Sequence, residues 1–275
     1  MAQYASGSNQ ILLKKLLRQA GKKMEVKGQS VVITGGASGL GAGAARLFVS
    51  KGAKVVILDR NQELAKQAAD HLGCLALTCD VANEASVVSA LDQVTANNGP
   101  PRIFINCAGI DIIGRIATRG GGPQPLDALG KQIAVNLTGT FNVCRLGADL
   151  VRQLPALNGE EQGVIVNVAS IAGLDGPRGQ TAYAATKAAV IGMTLPMARD
   201  LSAYGIRVVT IAPGVFNTPL AAEVLRGDPE TATGDVPFPK RAGQPAEFGK
   251  LALHICENAM LNGEVIRLDG SFRAT

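Results

Sequence analysis

The sequence predicts an α/β fold: a single domain on one doubly wound parallel sheet of about seven strands, with helices on both faces. Three observations predict it. Short runs of aliphatic, mostly β-branched residues recur along the chain, each followed by a segment of helical length. The runs are apolar throughout instead of alternating, which marks strands buried on both faces, as parallel sheets require. Gly35, Asp59, Asp80, Asn106, Ser170 and Pro213 stand at the carboxyl ends of successive runs, where such a sheet holds its ligands.

The elements follow in order. Ser30 to Thr34 (SVVIT) is the first strand; a glycine-rich turn leads into a helix through Ala44, Leu47 and Phe48, which ends at Gly52. Lys54 to Leu58 (KVVIL) is the second strand and stops at Asp59; a polar helix runs from Asn61 to Leu72. Leu75 to Thr78 is the third strand, ending at Asp80, and a helix covers Glu84 to Ala96 until Asn98-Gly99-Pro100-Pro101 breaks it. Arg102 to Asn106 (RIFIN) is the fourth strand, Gly120 to Pro125 reads as a loop, and a long helix is expected from Asn136 to Gln153. Val164 to Val168 (VIVNV) is a strand, and Tyr183 to Ala203 is mostly helical. Arg207 to Ile211 (RVVTI) is halted by Pro213-Gly214, and the last strand, Glu264 to Leu268, lies just before Asp269-Gly270.

Composition narrows the function classes. Hydrophobic residues at 47% against 18% charged allow a sizeable core and exclude a disordered chain. The five cysteines are odd in number and lack a Cys-x-x-Cys pair, so neither a disulfide framework nor a metal site is expected, and a reducing compartment is. His71 and His254 are the only histidines, and no motif supports a nucleophilic triad. The net charge of +5 attracts anionic nucleotides but is not gathered in a long basic run, so direct nucleic-acid binding is not expected. No apolar run approaches the roughly 20 residues needed to cross a bilayer, so no membrane insertion is expected. Residues 1–27 stand apart as a basic leader. Met1 to Met24 holds no acidic residue, and Ile11, Leu12, Leu16 and Leu17 fall near helical spacing among Lys14, Lys15, Arg18, Lys22 and Lys23. That is the pattern of an amphipathic mitochondrial targeting segment, with a cytoplasmic protein as the alternative. Residues 28–275 then form the folded domain.

Thr34 to Gly41 (TGGASGLG) lies between a strand and a helix. Gly35, Ser38, Gly39, Leu40 and Gly41 there permit a tight turn, bring the backbone close to a pyrophosphate, and aim free helical N–H groups at it. A glycine cluster alone is weak evidence, but other strand ends agree with it. Asp59 can accept hydrogen bonds from adenosine ribose hydroxyls and would repel a 2′-phosphate, which favours NAD over NADP. Arg60, next to it, would accommodate that phosphate and points the other way. Asp80 and Val81 are placed to meet the adenine, and Asn106-Cys107-Ala108-Gly109 lets the backbone approach the cofactor.

Tyr183 and Lys187 stand four apart on one helical face. An ammonium beside a phenol stabilises the phenolate, giving an acid–base unit, and the Ser170 hydroxyl, after a buried strand, is positioned to share its pocket. These motifs together resemble the short-chain dehydrogenase/reductase family from about Lys27 onward, a Rossmann-type fold. The family's TGxxxGxG is Thr34 to Gly41, its NNAG is Asn106 to Gly109, its catalytic Asn-Ser-Tyr-Lys set is Asn136, Ser170, Tyr183 and Lys187, and its PG motif is Pro213-Gly214. Val135 to Val143, Gly192 to Pro196, Arg207 to Pro213, Val236 to Pro239 and Asn262 to Gly270 are similar to the branch acting on 3-hydroxyacyl-CoA esters.

The resemblance implies a mechanism and partners. Tyr183 is the acid–base, Lys187 lowers its pKa and holds the nicotinamide ribose, Ser170 binds the substrate oxygen, and Asn136 holds a water beside Lys187. Phe216 and Thr218 lie along the nicotinamide and its phosphates, and Gln180 contacts the substrate. The expected reaction is NAD-dependent interconversion of a short-chain 3-hydroxyacyl-CoA and its 3-ketoacyl-CoA, with hydroxysteroids as further substrates, in a homotetramer. A 3-oxoacyl-acyl-carrier-protein reductase and a scaffold for RNA-processing partners are the alternatives. The loop around Gly120 and the segment Ala221 to Asp235 depart from the branch pattern, so selectivity is expected there.

Overall fold

The computed structural model describes residues 24–157, 160–222 and 233–274. The leader up to residue 23 and most of the 221–235 segment therefore lie outside the described residues.

The strands are β1 Ser30–Thr34, β2 Lys54–Asp59, β3 Leu75–Thr78, β4 Ile103–Asn106, β5 Ala117–Thr118, β6 Gly122–Pro123, β7 Gly163–Val168, β8 Ile206–Pro213 and β9 Val265–Leu268. Seven of them form one sheet in the order β3-β2-β1-β4-β7-β8-β9. Every pairing in it is parallel, with Thr34 opposite both Leu58 and Asn106. The chain winds outward from β1 in both directions, so a crevice must open past the ends of β1 and β4, where the winding reverses.

Successive residues of a strand face opposite layers, and the core divides accordingly. Val31 and Ile33 join Phe48, Phe248 and Ile255 under helices Gly39–Ser50, Gln62–Leu72 and Pro245–Glu257. Val32 joins Val87, Leu91, Phe104 and Val143 under helices Glu84–Asn98, Thr140–Val151 and Thr181–Leu201. Each fully buried Phe or Ile contributes roughly 1.5–3 kcal/mol of burial free energy. The first layer also takes in Met24, 1% exposed, and Val26, so the folded domain reaches back before residue 28.

Three elements differ from the sequence reading. The Pro245–Glu257 helix was not expected, although Pro at its start and a Gln244 N–H donated to the Glu247 carboxylate (2.7 Å) form a helix-start signal. The Gly120 loop is a hairpin of β5 and β6. The long helix before β7 begins at Leu126, not Asn136, and passes through a π-helical stretch, Ile133–Gly139. Gly130 and the irregular apolar spacing hide that start from a 3.6-residue pattern. All five cysteines are free thiols.

Candidate active site

A cleft of about 510 Å³ opens over the carboxyl ends of the central strands. Close packing explains the glycines on its floor. A Cβ on Gly41 would sit 2.3 Å from the Gly35 carbonyl oxygen, and one on Gly35 would sit 2.8 Å from the Ala108 backbone. Gly39 carries φ +53° and faces Thr218. The turn thus lets the Gly39–Ser50 helix begin close over β1, with its free N–H groups directed at the cleft. Asp59, at the end of β2, accepts from the Ala37 N–H (3.3 Å) and the Asn61 N–H (3.0 Å), which ties it to this turn. Asp80 accepts from the Ala82 N–H at 3.0 Å, and the Val81 carbonyl accepts from Asn142 at 3.1 Å.

Gly35, Ser38, Gly39, Leu40, Gly41, Asp59, Asp80, Val81, Cys107, Ala108, Gly109, Pro213, Gly214, Phe216 and Thr218 all line the cleft, and so do Ser170, Gln180, Tyr183 and Lys187. Arg60 lines it beside Asp59. Asn106 does not. Its side chain is buried in the sheet, donating to Asn167 Oδ1 at 2.8 Å and to Cys144 Sγ at 3.3 Å, so it braces β4 against β7. Ala108 is instead positioned through its N–H, donated to Thr34 Oγ1 at 3.2 Å.

Asn136 also stands behind the wall. Its Nδ2 donates to the Ile110 carbonyl (2.9 Å) and Thr186 Oγ1 (3.1 Å), and its Oδ1 accepts from the Ile110 N–H (2.8 Å). Both amide donors are engaged by protein, so the side chain clamps the segment after β4 to the Tyr183 helix. The π-helical stretch turns Asn136 inward for this role, a use typical of such bulges.

Tyr183 and Lys187 project from the Thr181–Leu201 helix and are 7% and 4% exposed. The Tyr183 phenol lies beside the Ser170 hydroxyl, which accepts from the Ala172 N–H at 3.1 Å. Lys187 Nζ donates to the Val168 carbonyl at 2.8 Å and lies 5.6 Å from the centre of the Tyr183 ring. Burial pulls the Lys187 ammonium down to about 8, against an opposing pull from Cys107 and Asp111. The phenol moves the other way from the sequence expectation. Burial raises its pKa above the ordinary value, the Asp111 charge raises it further, and the neighbouring Ser170 hydroxyl offsets part of the rise. Loss of water around a phenolate dominates the shift. Burial likewise pushes the Cys107 thiol up to about 12, leaving it unreactive.

Asp111 is the residue sequence reasoning missed. It lines the cleft and accepts a hydrogen bond from Gln180 Nε2. It lies two positions past Gly109, so the strand-end rule that found its neighbours was signal enough. Phe272 and Ala274 also line the cleft, brought there by Arg267, which pairs with Asp175 through two bonds of 2.7 Å; nothing local in the sequence announces that contact.

A family model described as short chain dehydrogenase matches residues 29–228. The chain is 44% identical over 251 residues to 3-hydroxyacyl-CoA dehydrogenase type-2 of Homo sapiens, covering 90% of this chain and 96% of that one. It is 32% identical over 248 residues to the 3-oxoacyl-[acyl-carrier-protein] reductase of Rattus norvegicus, covering 88% and 97%. The crystal structure of a 3-hydroxyacyl-CoA dehydrogenase type-2 from Mycobacterium avium superposes with a TM-score of 0.83 at 41% identity, covering 90% of this chain and 96% of that one. A doubly wound sheet with a glycine-floored cleft, a Ser-Tyr-Lys cluster at its other end and these likenesses lead to one assignment: the chain is an oxidoreductase of the short-chain dehydrogenase family.

Proposed function

We propose that the protein interconverts short-chain 3-hydroxyacyl-CoA and 3-ketoacyl-CoA esters with NAD. The observation that carries this reading is the meeting of the Tyr183 phenol, the Ser170 hydroxyl and the Lys187 ammonium in the same cleft as the glycine-rich turn. The likeness to 3-hydroxyacyl-CoA dehydrogenases supplies the substrate class.

The glycine floor fits a dinucleotide, since any side chain at Gly35 or Gly41 would strike the neighbouring backbone and force apart the tight turn on which a pyrophosphate would rest. Asp59 would hold the adenosine ribose, and Lys187 the nicotinamide ribose. When bound, the dinucleotide supplies a ring that accepts or returns a hydride. Tyr183 handles the proton: in oxidation it takes the carbinol proton, and in reduction it returns one to the ketone oxygen. Ser170 hydrogen-bonds that same oxygen and holds it against Tyr183. With its phenol raised by burial, Tyr183 stays protonated at neutral pH, which suits the donor role.

Arg60, lining the cleft beside Asp59, supports a second reading: NADPH-linked reduction of a 3-oxoacyl group on acyl carrier protein. Hydroxysteroids are further candidate substrates. Exposed Phe141 and Leu195, on the helices flanking one face, support a homotetramer, which light scattering would measure. The basic leader supports mitochondrial import, testable with isolated mitochondria. Steady-state kinetics with NAD and NADP against 3-hydroxybutyryl-CoA, a 3-oxoacyl carrier protein and a steroid alcohol decide among the substrates. NAD-linked oxidation of the CoA ester is expected; turnover confined to the carrier-protein substrate with NADPH overturns the reading.

A further inference from the structure

A chain end is free to fray unless something ties it down, and the segment after β9 is held by a junction of two arginines and two aspartates. Arg267, on β9, uses its whole guanidinium fork. Its Nη1 and Nη2 donate to separate oxygens of Asp175, each at 2.7 Å, and its Nε donates to Asp269 at 2.6 Å. Nη2 also donates to the Phe272 carbonyl at 2.8 Å. Arg273 adds a bond to Asp269 at 3.2 Å. The side chains of Asp175 and Asp269 are 11% and 6% exposed, so little water competes for them. The junction grips the tail by its backbone. Beside the Phe272 carbonyl, the Ala274 N–H donates to Asp175 at 3.1 Å and the Ser271 N–H to Asp269 at 3.0 Å. Ser271 has φ +69°, a conformation that only glycine adopts elsewhere among the described residues. The tail is therefore turned back by its bonds and not by the preference of its residues, which leaves the Phe272 side chain to the cleft that it lines.

The same junction is built into the reacting end. Asp175 closes the short helix Ala172–Asp175, whose first N–H is donated to the Ser170 hydroxyl. Asp269 packs on Gly214, where a Cβ would sit 2.8 Å from its own. The tail thus stands beside Ser170, and the lining there is apolar: Ile171, Ala172, Phe272 and Ala274. The segment after β4 and the loop before the Tyr183 helix bring polar groups instead, Asp111 and Gln180. A 3-hydroxyacyl ester with its oxygen on Ser170 sends a hydrocarbon arm one way from the carbinol carbon and a thioester arm the other. An apolar wall suits the first, and polar groups suit the second.

We propose that the tail after β9 is the wall that receives the hydrocarbon arm of the substrate. Phe272 is then a specificity-determining residue for acyl length, and Arg267, through Asp175, is the positioning residue that holds it in place. This rests on the reading of the cleft as the site of 3-hydroxyacyl oxidation.

The test compares wild type, Phe272→Ala and Arg267→Lys on 3-hydroxybutyryl-CoA and 3-hydroxydecanoyl-CoA with NAD. Phe272→Ala takes a ring out of the wall, so the short chain loses an apolar contact and the long one gains room. The ratio of kcat/KM for the long ester to the short one rises about tenfold, the usual worth of a changed apolar contact in a substrate pocket. Arg267→Lys keeps the charge but cannot fork, so the tail loosens and the ratio rises in the same direction, while NADH affinity stays within about threefold of wild type. Should that variant fail to fold, Asp175→Asn takes its place with the same expected result. A ratio within about twofold of wild type in Phe272→Ala overturns the wall. A ratio shifted there but unshifted in Arg267→Lys, or a parallel loss of NADH binding, overturns the positioning role. Failure of the functional reading looks different: wild type then oxidises neither ester. Binding of 2-butanone and 2-decanone to the NADH complex, followed by nucleotide fluorescence, then decides for the wall. A Kd ratio shifted about tenfold toward the longer ketone in Phe272→Ala upholds it, and an unchanged ratio or no binding of either ketone overturns it.

Discussion

The two ends of the cleft are built differently. At the β1 and β2 end, the walls are backbone and glycine, placed by strand ends that follow one another closely along the chain. At the Tyr183 end, the walls are side chains joined across long separations: Asn136 to Thr186, Asp111 to Gln180, Arg267 to Asp175. The first end holds its shape through what cannot fit, and the second through bonds that must be made. Substitutions should therefore act by different routes at the two ends.

The largest expected effect is at the reacting end. Tyr183→Phe should lower kcat by roughly 10²–10⁴-fold, the usual worth of a positioned acid–base group, while NADH affinity measured by fluorescence titration stays within about threefold. Parallel loss of binding would erase the distinction between the ends. Gly41→Ala tests the other end. Its methyl would meet the Gly35 carbonyl at 2.3 Å, so the turn must move, at a cost of about 1–3 kcal/mol. The comparison predicts a lower Tm and much weaker NADH binding, with KM for the acyl substrate changing far less.

Asp59→Ala should reduce the NAD over NADP preference in kcat/KM by about tenfold, as expected for one charged hydrogen-bond partner. An unchanged preference would leave Arg60 as the discriminating residue. The smallest effect is in pH dependence. The Lys187 ammonium, held at about 8, is present below that pH and lost above it. In the free enzyme kcat/KM for the dinucleotide should fall severalfold on passing above about pH 8, and Lys187→Arg should move that fall to higher pH. A flat profile through that range would remove the ammonium from cofactor binding.

This contrast also explains what could be read from the sequence. The strands of the parallel sheet, the glycine turn, Asp59 and the Ser170, Tyr183 and Lys187 set follow from local pattern, because a parallel sheet sends every strand end to one edge. Asn106 carried a ligand-like position and an internal role, and only its partners Asn167 and Cys144 reveal which. The direction of the Tyr183 shift depends on how much water surrounds the phenol and on the neighbour Asp111, neither of which is a property of spacing. The Pro245–Glu257 helix was legible from its capping signal and was passed over; the link from Arg267 to Asp175 was not legible at all.

Met24 and Val26 sit in the same apolar layer as Phe48 and Phe248. Shortening the chain from its amino end past that point costs the layer two buried side chains. A peptidase that cut just after Val26 would remove two plugs and open a hole beneath β1.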